Sequence, residues 1–352
     1  TDNWMWPRHT GDFSIFRIYA GKDNRPAEYS EENVPYKAEE FLKVSLDGYK
    51  ADDFTMIMGF PGSTERYMTS YEIDEMFQVS GPQRIDIRGA RQDILKEDMA
   101  ASDKVRIQYA SKFAGSSNYW KNSIGMNKAI VDNKVLETKA EQESRFAQYA
   151  KEKGNADYEK VVGQIDEYVK RVMPIQTRNT YFSETFRSGI EFSAPQAAFD
   201  ELKTALQKEN KKDIAKALET LKKEFANIHN KDYDHEVDRK VAKVLIPLYA
   251  SKVSAEALPD FYQTVQKQFN GDYNAYVDAL YDNSIFASEK NFDAFMANPT
   301  VEAIDKDLAV QYTVARNAKY KELADQLSNA RGDINLLHKT YVRGLCEMYA
   351  PT

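Results

Sequence analysis

The sequence predicts an α+β protein that is mainly α-helical, with a β-rich start followed by a long helical remainder. Residues 1 to about 64 contain three apolar runs with strand-like patterning, separated by loops that contain glycine and proline. After residue 64, apolar residues recur at spacings of three and four with few prolines, which is typical of amphipathic helices. This change of pattern places a boundary near residue 64, and it predicts either two domains, residues 1–64 and 65–352, or a single α+β arrangement.

The β-rich start contains three predicted strands. Residues 13–19 alternate apolar and polar side chains, residues 41–46 form a second run, and residues 54–60 are almost continuously apolar. The glycines and proline of residues 59–62 then break the pattern. Because three strands do not close a stable barrel, we expect the β part to need partner strands from outside this chain.

The helical remainder has recognisable boundary signals. Pro195 falls in a first helical turn, Asp213 begins another helix, Pro174 ends one, and Gly332 separates the last two. We predict helices over residues 67–79, 82–113, 117–150, 158–173, 193–208, 213–228, 234–251, 258–269, 273–283, 291–296, 300–329 and 333–348.

Charge and composition exclude several classes of function. The net charge of -7 argues against a general binder of nucleic-acid backbones. The single cysteine, Cys346, permits neither an internal disulfide nor a zinc site built on cysteine pairs. The sequence contains no apolar run long enough to span a membrane. The chain starts at Thr1 without a methionine, and we expect it to be a piece of a longer protein, with any localisation signal on the remainder.

The segment at residues 3–14 is the strongest candidate for a catalytic element. It reads Asn-Trp-Met-Trp-Pro-Arg-His-Thr-Gly-Asp-Phe-Ser, which concentrates rigid aromatic and hydrogen-bonding side chains just before a predicted strand. Asp12 would lie at the mouth of that strand, where a loop can hold a carboxylate beside a reaction centre. Taken alone, such an aspartate would more often be a turn or capping residue.

Three segments together resemble a known family. Residues 2–14, residues 58–64 (Met-Gly-Phe-Pro-Gly-Ser-Thr) and residues 116–122 (Ser-Ser-Asn-Tyr-Trp-Lys-Asn) are similar, in order and spacing, to segments of the S46 serine peptidases. These are bacterial dipeptidyl-peptidases of the types called 7 and 11. The resemblance covers the whole chain, as the central half of a protein about twice as long.

The resemblance implies a chymotrypsin-like double β-barrel with a large all-α domain inserted between the barrels. Residues 1–64 would be part of the first barrel, and residues 65–352 a helical cap that restricts the cleft to free peptide N-termini. Asp12 would be the aspartate of a Ser-His-Asp triad. Asn3, Trp4, Arg8 and Asn118 would form or support the pocket for the α-amino group of the substrate.

Those roles suit the chemistry of the side chains. A triad aspartate orients the histidine ring and stabilises the imidazolium that forms. An amide oxygen can accept a hydrogen bond from an ammonium group, and a tryptophan face can add a cation–π contact. By resemblance, the catalytic histidine precedes Thr1 and the serine follows Thr352, so this chain alone is expected to be inactive. No metal or cofactor is expected, and the family implies a homodimer in the periplasm or at the surface of a bacterium.

Several residues have plainer interpretations. Trp6 is favoured as a packing residue, Arg8 could support its loop through a salt bridge, and Asn118 could cap a helix start. His9 is interpreted as structural, because the family places its catalytic histidine elsewhere. His229 and His235 are six residues apart, a spacing that matches no common zinc motif.

Two other functions compete with the peptidase. A non-catalytic helical binding module would use methionine and tyrosine on apolar helix faces to dock a partner, but it has no need for the segment at residues 3–12. A pseudo-peptidase would share the fold with the serine or histidine replaced.

Overall fold

The computed structural model describes residues 14–56, 58–59, 65–332 and 334–350. The chain divides into two compact units, Thr1–Arg66 and Tyr67–Thr352. The assignment of residues 1–64 to a peptidase barrel and of residues 65–352 to a helical cap stays a prediction.

The described part of the first unit contains a small antiparallel ladder. Strand β1 (Tyr19–Ala20) pairs with β2 (Val34–Pro35), with Tyr19 opposite Pro35 and Ala20 opposite Val34. Asn24 lies in the turn after β1, in the left-handed region at φ 63°. Its side-chain amide accepts a hydrogen bond from the Lys37 N–H (2.8 Å) and donates one to the Lys37 carbonyl (2.9 Å), which ties the turn to the chain beyond β2.

The three predicted strands are largely wrong for the described residues. Of residues 14–19 only Tyr19 lies in a strand, and neither residues 41–46 nor the described part of 54–60 does. Large apolar side chains in these runs are exposed: Phe16 to 86%, Leu46 to 93% and Phe54 to 88%. A strand needs a neighbour to pair its backbone N–H and C=O groups, and beyond the pairing at Tyr19 the described residues supply none for these runs. The predicted barrel is therefore not confirmed.

The second unit is helical. A π-helical turn, Met76–Ser80, joins the first two helices, and a 3-10 turn, Ala255–Ala257, precedes the ninth. The helices are α1 Ser70–Glu75, α2 Gly81–Ala101, α3 Asp103–Asp132, α4 Val135–Lys153, α5 Ala156–Phe186, α6 Gln196–Gln207, α7 Lys211–Ile228, α8 His235–Lys252, α9 Phe261–Gln268, α10 Tyr273–Asn283, α11 Glu289–Ala297, α12 Val301–Lys306, α13 Leu308–Ala330 and α14 Ile334–Met348.

Several helix boundaries differ from the predicted ones. Residues 82–113 are not one helix, because Ser102 is extended (φ -143°, ψ 121°) and its side chain caps α3 by accepting from the Val105 N–H. Residues 117–150 are broken by Lys134, whose φ of 49° is left-handed. Residues 300–329 are broken at Asp307, which caps α13. Pro174 lies inside α5 rather than ending a helix. Packing of α5 against α2, α8, α13 and α14 outweighs the backbone hydrogen bond that the proline removes.

Aromatic side chains fill the main core of the helical unit. Phe182, Phe186 and Phe261 are at most 2% exposed, and the Phe186 and Tyr249 rings meet edge to face with centroids 4.9 Å apart. Burial of each such ring contributes about 1.5–3 kcal/mol, with a further contribution of about 0.5–1.5 kcal/mol for favourable ring pairs. This core fixes the C-terminal end of α5, on which the site described below depends.

A second cluster joins α4, α5 and α14. The Phe146 ring contacts the Tyr341 ring edge to face at 5.0 Å and lies 5.9 Å from the Tyr158 ring. Gly344 allows this packing, because a β-carbon there would lie 2.6 Å from the Phe146 ring. In the described part of the chain, none of the helices combines the length and apolar character that crossing a membrane requires.

Candidate functional site

Most of the predicted site residues lie outside the described part of the chain. Asn3, Trp4, Arg8 and Asp12 fall in residues 1–13, so their predicted roles stay predictions. Asn118 is described, and its side chain is half-buried in α3. Because α3 begins at Asp103, Asn118 lies well inside the helix, and the alternative that it caps a helix start is wrong.

The α2–α3 hairpin holds Asn118 in a fixed position. The two helices pack closely together, joined by Ser102. The Trp120 indole N–H donates to the Ile85 carbonyl at 3.1 Å. Gly89 faces the same indole, and a β-carbon there would lie 3.3 Å from the indole nitrogen. The large ring therefore fits against α2 because the opposing residue has no side chain.

A pocket of about 310 Å³ opens beside Asn118. Ser116 and Tyr119, two residues before and one residue after Asn118 on α3, both line it. The remaining walls come from α2, α3, the end of α5 and the loop that follows: Ile87, Arg88, Arg91, Lys112, Gly115, Glu184, Ser188, Gly189 and Glu191.

One wall of the pocket is a nearly buried ion pair between Arg88 and Glu184. The Arg88 guanidinium donates two hydrogen bonds to the carboxylate, of 2.7 and 3.2 Å, and the side chains are 16% and 9% exposed. Arg84 approaches the same carboxylate at 3.5 Å. The Arg88 guanidinium carbon also lies 5.1 Å from the centre of the Tyr119 ring. A two-bond pair of this kind fixes both side chains in orientation.

A second part of the lining is organised around Glu191. Its carboxylate accepts from Arg91 at 3.1 Å and also pairs with Lys112. Arg91 donates a further hydrogen bond, of 3.0 Å, to the Gly189 carbonyl, so the loop after α5 is attached to α2. The walls thus present both guanidinium donors and carboxylate acceptors. Such a lining can hydrogen-bond to peptide N–H and C=O groups alike.

A buried aspartate of α8 supports this loop from behind. Asp238 accepts hydrogen bonds from the backbone N–H of Glu191 (2.9 Å) and of Phe192 (2.7 Å) and from the Tyr281 hydroxyl (2.7 Å). Burial, together with the nearby Glu191 carboxylate, raises the pKa of Asp238 to about 6. Asp238 therefore fixes the backbone from which Glu191 enters the pocket.

Sequence reasoning missed Asp238, although its position carried a signal. It lies three, four and seven residues before Val241, Ala242 and Leu245, so it shares the apolar face of α8. A charged residue at such a position is buried and must find hydrogen-bond donors. The basic and acidic residues of the pocket walls gave no comparable signal, because their partners are about 80 to 100 residues away in sequence.

The two histidines considered for a metal site instead contact backbone carbonyls of other parts of the helical unit. The Nε2 atom of His229 lies 2.7 Å from the Phe286 carbonyl, and that of His235 lies 2.8 Å from the Tyr281 carbonyl. Burial lowers the pKa of His229, which favours its neutral form. In the described part of the chain, no group of three or more potential metal ligands comes together.

Comparison with known proteins gives a consistent result. The sequence model described as Peptidase S46 matches residues 1–352. The chain is 60% identical over 351 residues to a Dipeptidyl-peptidase 7 of Phocaeicola vulgatus, covering all of this chain and 49% of that protein. It is 39% identical over 349 residues to an Asp/Glu-specific dipeptidyl-peptidase of Porphyromonas gingivalis, covering 99% of this chain and 48% of that protein. The chain thus spans about half the length of these curated relatives.

Solved structures agree with this likeness. The crystal structure of Porphyromonas endodontalis DPP11 in complex with the dipeptide Arg-Glu matches at a TM-score of 0.87 and 33% identity. The match covers 99% of this chain and 50% of that one. The same protein in an alternate conformation matches at a TM-score of 0.64 and 28% identity, covering 99% of this chain and 48% of that one.

Proposed function

Because this chain belongs to the peptidase S46 family, we propose that it is part of a serine dipeptidyl-peptidase that removes dipeptides from the free N-terminus of peptides. The observation that carries the proposal is the 60% identity, over the whole chain, to a protein named as a dipeptidyl-peptidase. Dipeptide binding by the related DPP11 supports the same substrate class.

The proposed chemistry is that of a Ser-His-Asp triad to which this chain contributes Asp12. Asp12 would accept a hydrogen bond from the histidine and stabilise the imidazolium that forms when the serine attacks the peptide carbonyl. The shortened peptide would leave first, and water would then hydrolyse the dipeptidyl ester. Since the serine and histidine are proposed to lie outside residues 1–352, this chain alone is expected to be inactive.

Recognition of the free N-terminus is assigned to Asn3, Trp4, Arg8 and Asn118. For Asn118, support comes from its place on a helix that is fixed against α2 and from the adjacent polar pocket. An amide oxygen on a helix fixed in this way can accept a hydrogen bond from the substrate ammonium group with little loss of backbone entropy. Ammonium binding by the amide oxygens of Asn3 and Asn118, with Arg8 supporting the pocket, would distinguish a free N-terminus from an acylated one.

The remaining proposals follow from the family. Residues 1–64 would belong to a chymotrypsin-like barrel whose other strands come from outside this chain, and residues 65–352 would form the helical cap. Exposure of the apolar side chains at residues 15–18, 41–46 and 54–56 supports a need for such partners. We also propose a homodimer, located in the periplasm or at the surface of a bacterium.

The test uses the longer protein that contains this chain. Fluorogenic dipeptidyl substrates with free N-termini are compared with the same compounds N-acetylated. Cleavage of the free-amine set alone supports the proposal. Failure to cleave any compound would contradict the proposal, and the pseudo-peptidase or the helical binding module would then be the remaining interpretations.

The Asn118→Ala variant then tests the amine site. A hydrogen bond to a charged group is worth about 1.5–3 kcal/mol, so kcat/KM should fall by about 10- to 100-fold. Asn118→Asp keeps an acceptor and should retain more activity than the alanine variant. Asn227→Ala, which removes an exposed asparagine from α7, is the matched control. An unchanged kcat/KM in Asn118→Ala would contradict the role assigned to this side chain.

A further inference from the structure

A second polar groove, of about 530 Å³, opens at the C-terminal end of α5. It shares Glu191 with the pocket beside Asn118 but otherwise has its own lining. Two arginines stand on opposite elements of it: Arg187 follows the last residue of α5, and Arg316 lies in α13. Ser193, Asn317 and Tyr320 supply further polar groups, and Phe182, Phe186 and Ile190 complete the lining.

Aromatic rings hold both guanidinium groups in place. The Arg187 guanidinium carbon lies 4.4 Å from the centre of the Tyr320 ring, and the guanidinium donates a hydrogen bond to the hydroxyl of the same tyrosine. The Arg316 guanidinium carbon lies 5.8 Å from the centre of the Tyr312 ring. A guanidinium that faces a ring keeps its N–H edge available for a planar acceptor such as a carboxylate.

Neither arginine has a carboxylate at ion-pair distance among the residues that the structure describes. Arg316 makes long hydrogen bonds, of 3.3 and 3.4 Å, to the neutral amide of Asn317. Glu191, which also lines the groove, is already paired with Arg91 and Lys112. Within the described residues, the two guanidinium groups are therefore without a direct ion-pair partner, in a chain whose net charge is -7.

We propose that this groove binds an acidic peptide segment, with Arg187 and Arg316 each receiving a carboxylate. Arginine forks bind carboxylates through two parallel hydrogen bonds. The groove is large enough for more than one residue, and Ser193 and Asn317 can pair with the backbone amides between the acidic side chains. Neither Asn118 nor hydrolysis is involved, so peptide binding in this groove can be tested independently of the proposed function.

The experiment measures peptide binding by the 352-residue chain. The probe is the peptide Gly-Ser-Glu-Asp-Gly-Ser with a neutral dye at its C-terminus, followed by fluorescence anisotropy at low salt. The matched peptide Gly-Ser-Gln-Asn-Gly-Ser has the same shape without the charges. We expect the acidic peptide to bind at least 10-fold more tightly than the amide peptide, and equal binding of the two would overturn the proposal.

Variants then locate the site. Arg187→Gln and Arg316→Gln should each weaken binding of the acidic peptide by about 10-fold or more. Arg145→Gln removes an exposed charge of α4, outside the groove, and should change the affinity by less than twofold. Equal losses in all three variants would show a general charge effect and would refute the site.

Two further measurements keep the result interpretable. The lysine variants Arg187→Lys and Arg316→Lys preserve charge but not the fork, so they should bind with intermediate affinity, and far-UV circular dichroism checks that every variant is folded. Inorganic phosphate is added as a competitor. Displacement of the peptide by phosphate at concentrations where acetate has no effect would assign the arginines to phosphate and contradict the peptide proposal.

Discussion

The buried carboxylate of Asp238 should make the stability of the fold depend on pH in a specific direction. Its pKa of about 6 in the folded state lies above its ordinary value of 3.8, a difference equivalent to about 3 kcal/mol. Between about pH 4 and pH 6 the folded chain holds a proton that the unfolded chain has released. Acidification through this window therefore stabilises the fold, and the contribution is lost as the pH rises through about 6.

The Asp238→Asn variant removes this titration and one hydrogen-bond acceptor. The single side-chain oxygen of asparagine can accept from the Phe192 N–H and the Tyr281 hydroxyl, but the Glu191 N–H then has no acceptor. We therefore expect the free energy of unfolding to fall by about 1–3 kcal/mol at pH 7.5. At pH 4.5 the wild-type chain gains about 2 kcal/mol from protonation of Asp238. The difference in unfolding free energy between the wild type and the less stable variant should therefore grow by about 2 kcal/mol from pH 7.5 to pH 4.5.

The assay is urea denaturation followed by far-UV circular dichroism at pH 4.5, 5.5, 6.5 and 7.5. The difference in unfolding free energy between variant and wild type cancels the contributions of the other titrating groups. Asp293→Asn, which alters an exposed carboxylate of α11, is the control and should show a difference near zero throughout. A deficit of Asp238→Asn that is constant or shrinks on acidification would refute the reasoning.

Three further substitutions test the packing of the helical unit by the same denaturation assay. Gly344→Ala places a β-carbon 2.6 Å from the Phe146 ring and should cost about 1–3 kcal/mol; wild-type stability would show that α14 can shift. Glu184→Gln removes the charge to which Arg88 donates two hydrogen bonds, and it should lower the free energy of unfolding by about 1.5–3 kcal/mol; an unchanged urea midpoint would contradict the inferred ion pair. Thr185→Val removes a fully buried hydroxyl that has no hydrogen-bond partner among the described residues, so the free energy of unfolding should stay equal or rise by up to about 1 kcal/mol; a clear loss would reveal a partner for that hydroxyl.

Local signals predicted much of the helical unit. Tyr273–Asn283 matches its predicted bounds, and Asp234 and Ser288 cap α8 and α11 by accepting from backbone N–H groups. Such helices are readable because the apolar period and the capping side chain both lie within a few residues. Pro174 misled the prediction, because the packing around α5 that compensates for it involves helices distant in sequence.

The strands failed for the opposite reason. An alternating apolar pattern, as in residues 13–19, indicates that a segment could be a strand, but the strand forms only when a neighbour pairs its backbone groups. Among the described residues these segments have no such neighbour apart from the pairing at Tyr19, and most of their large apolar side chains are exposed. The pattern therefore indicates segments that need a neighbouring strand, and the described part of the chain does not supply one along their length.

The sequence by itself determined the family, the helical class of residues beyond 64 and Asn118 as a candidate, because each of these rests on residues close together along the chain. Only the tertiary structure decided that Asn118 lies within a helix and beside a pocket, that Glu184 meets Arg88 across the fold, and that Asp238 holds the loop of Glu191. Those contacts join residues 47 to 96 positions apart. Their formation depends on which helix faces pack together, and local patterns of polarity do not specify that choice.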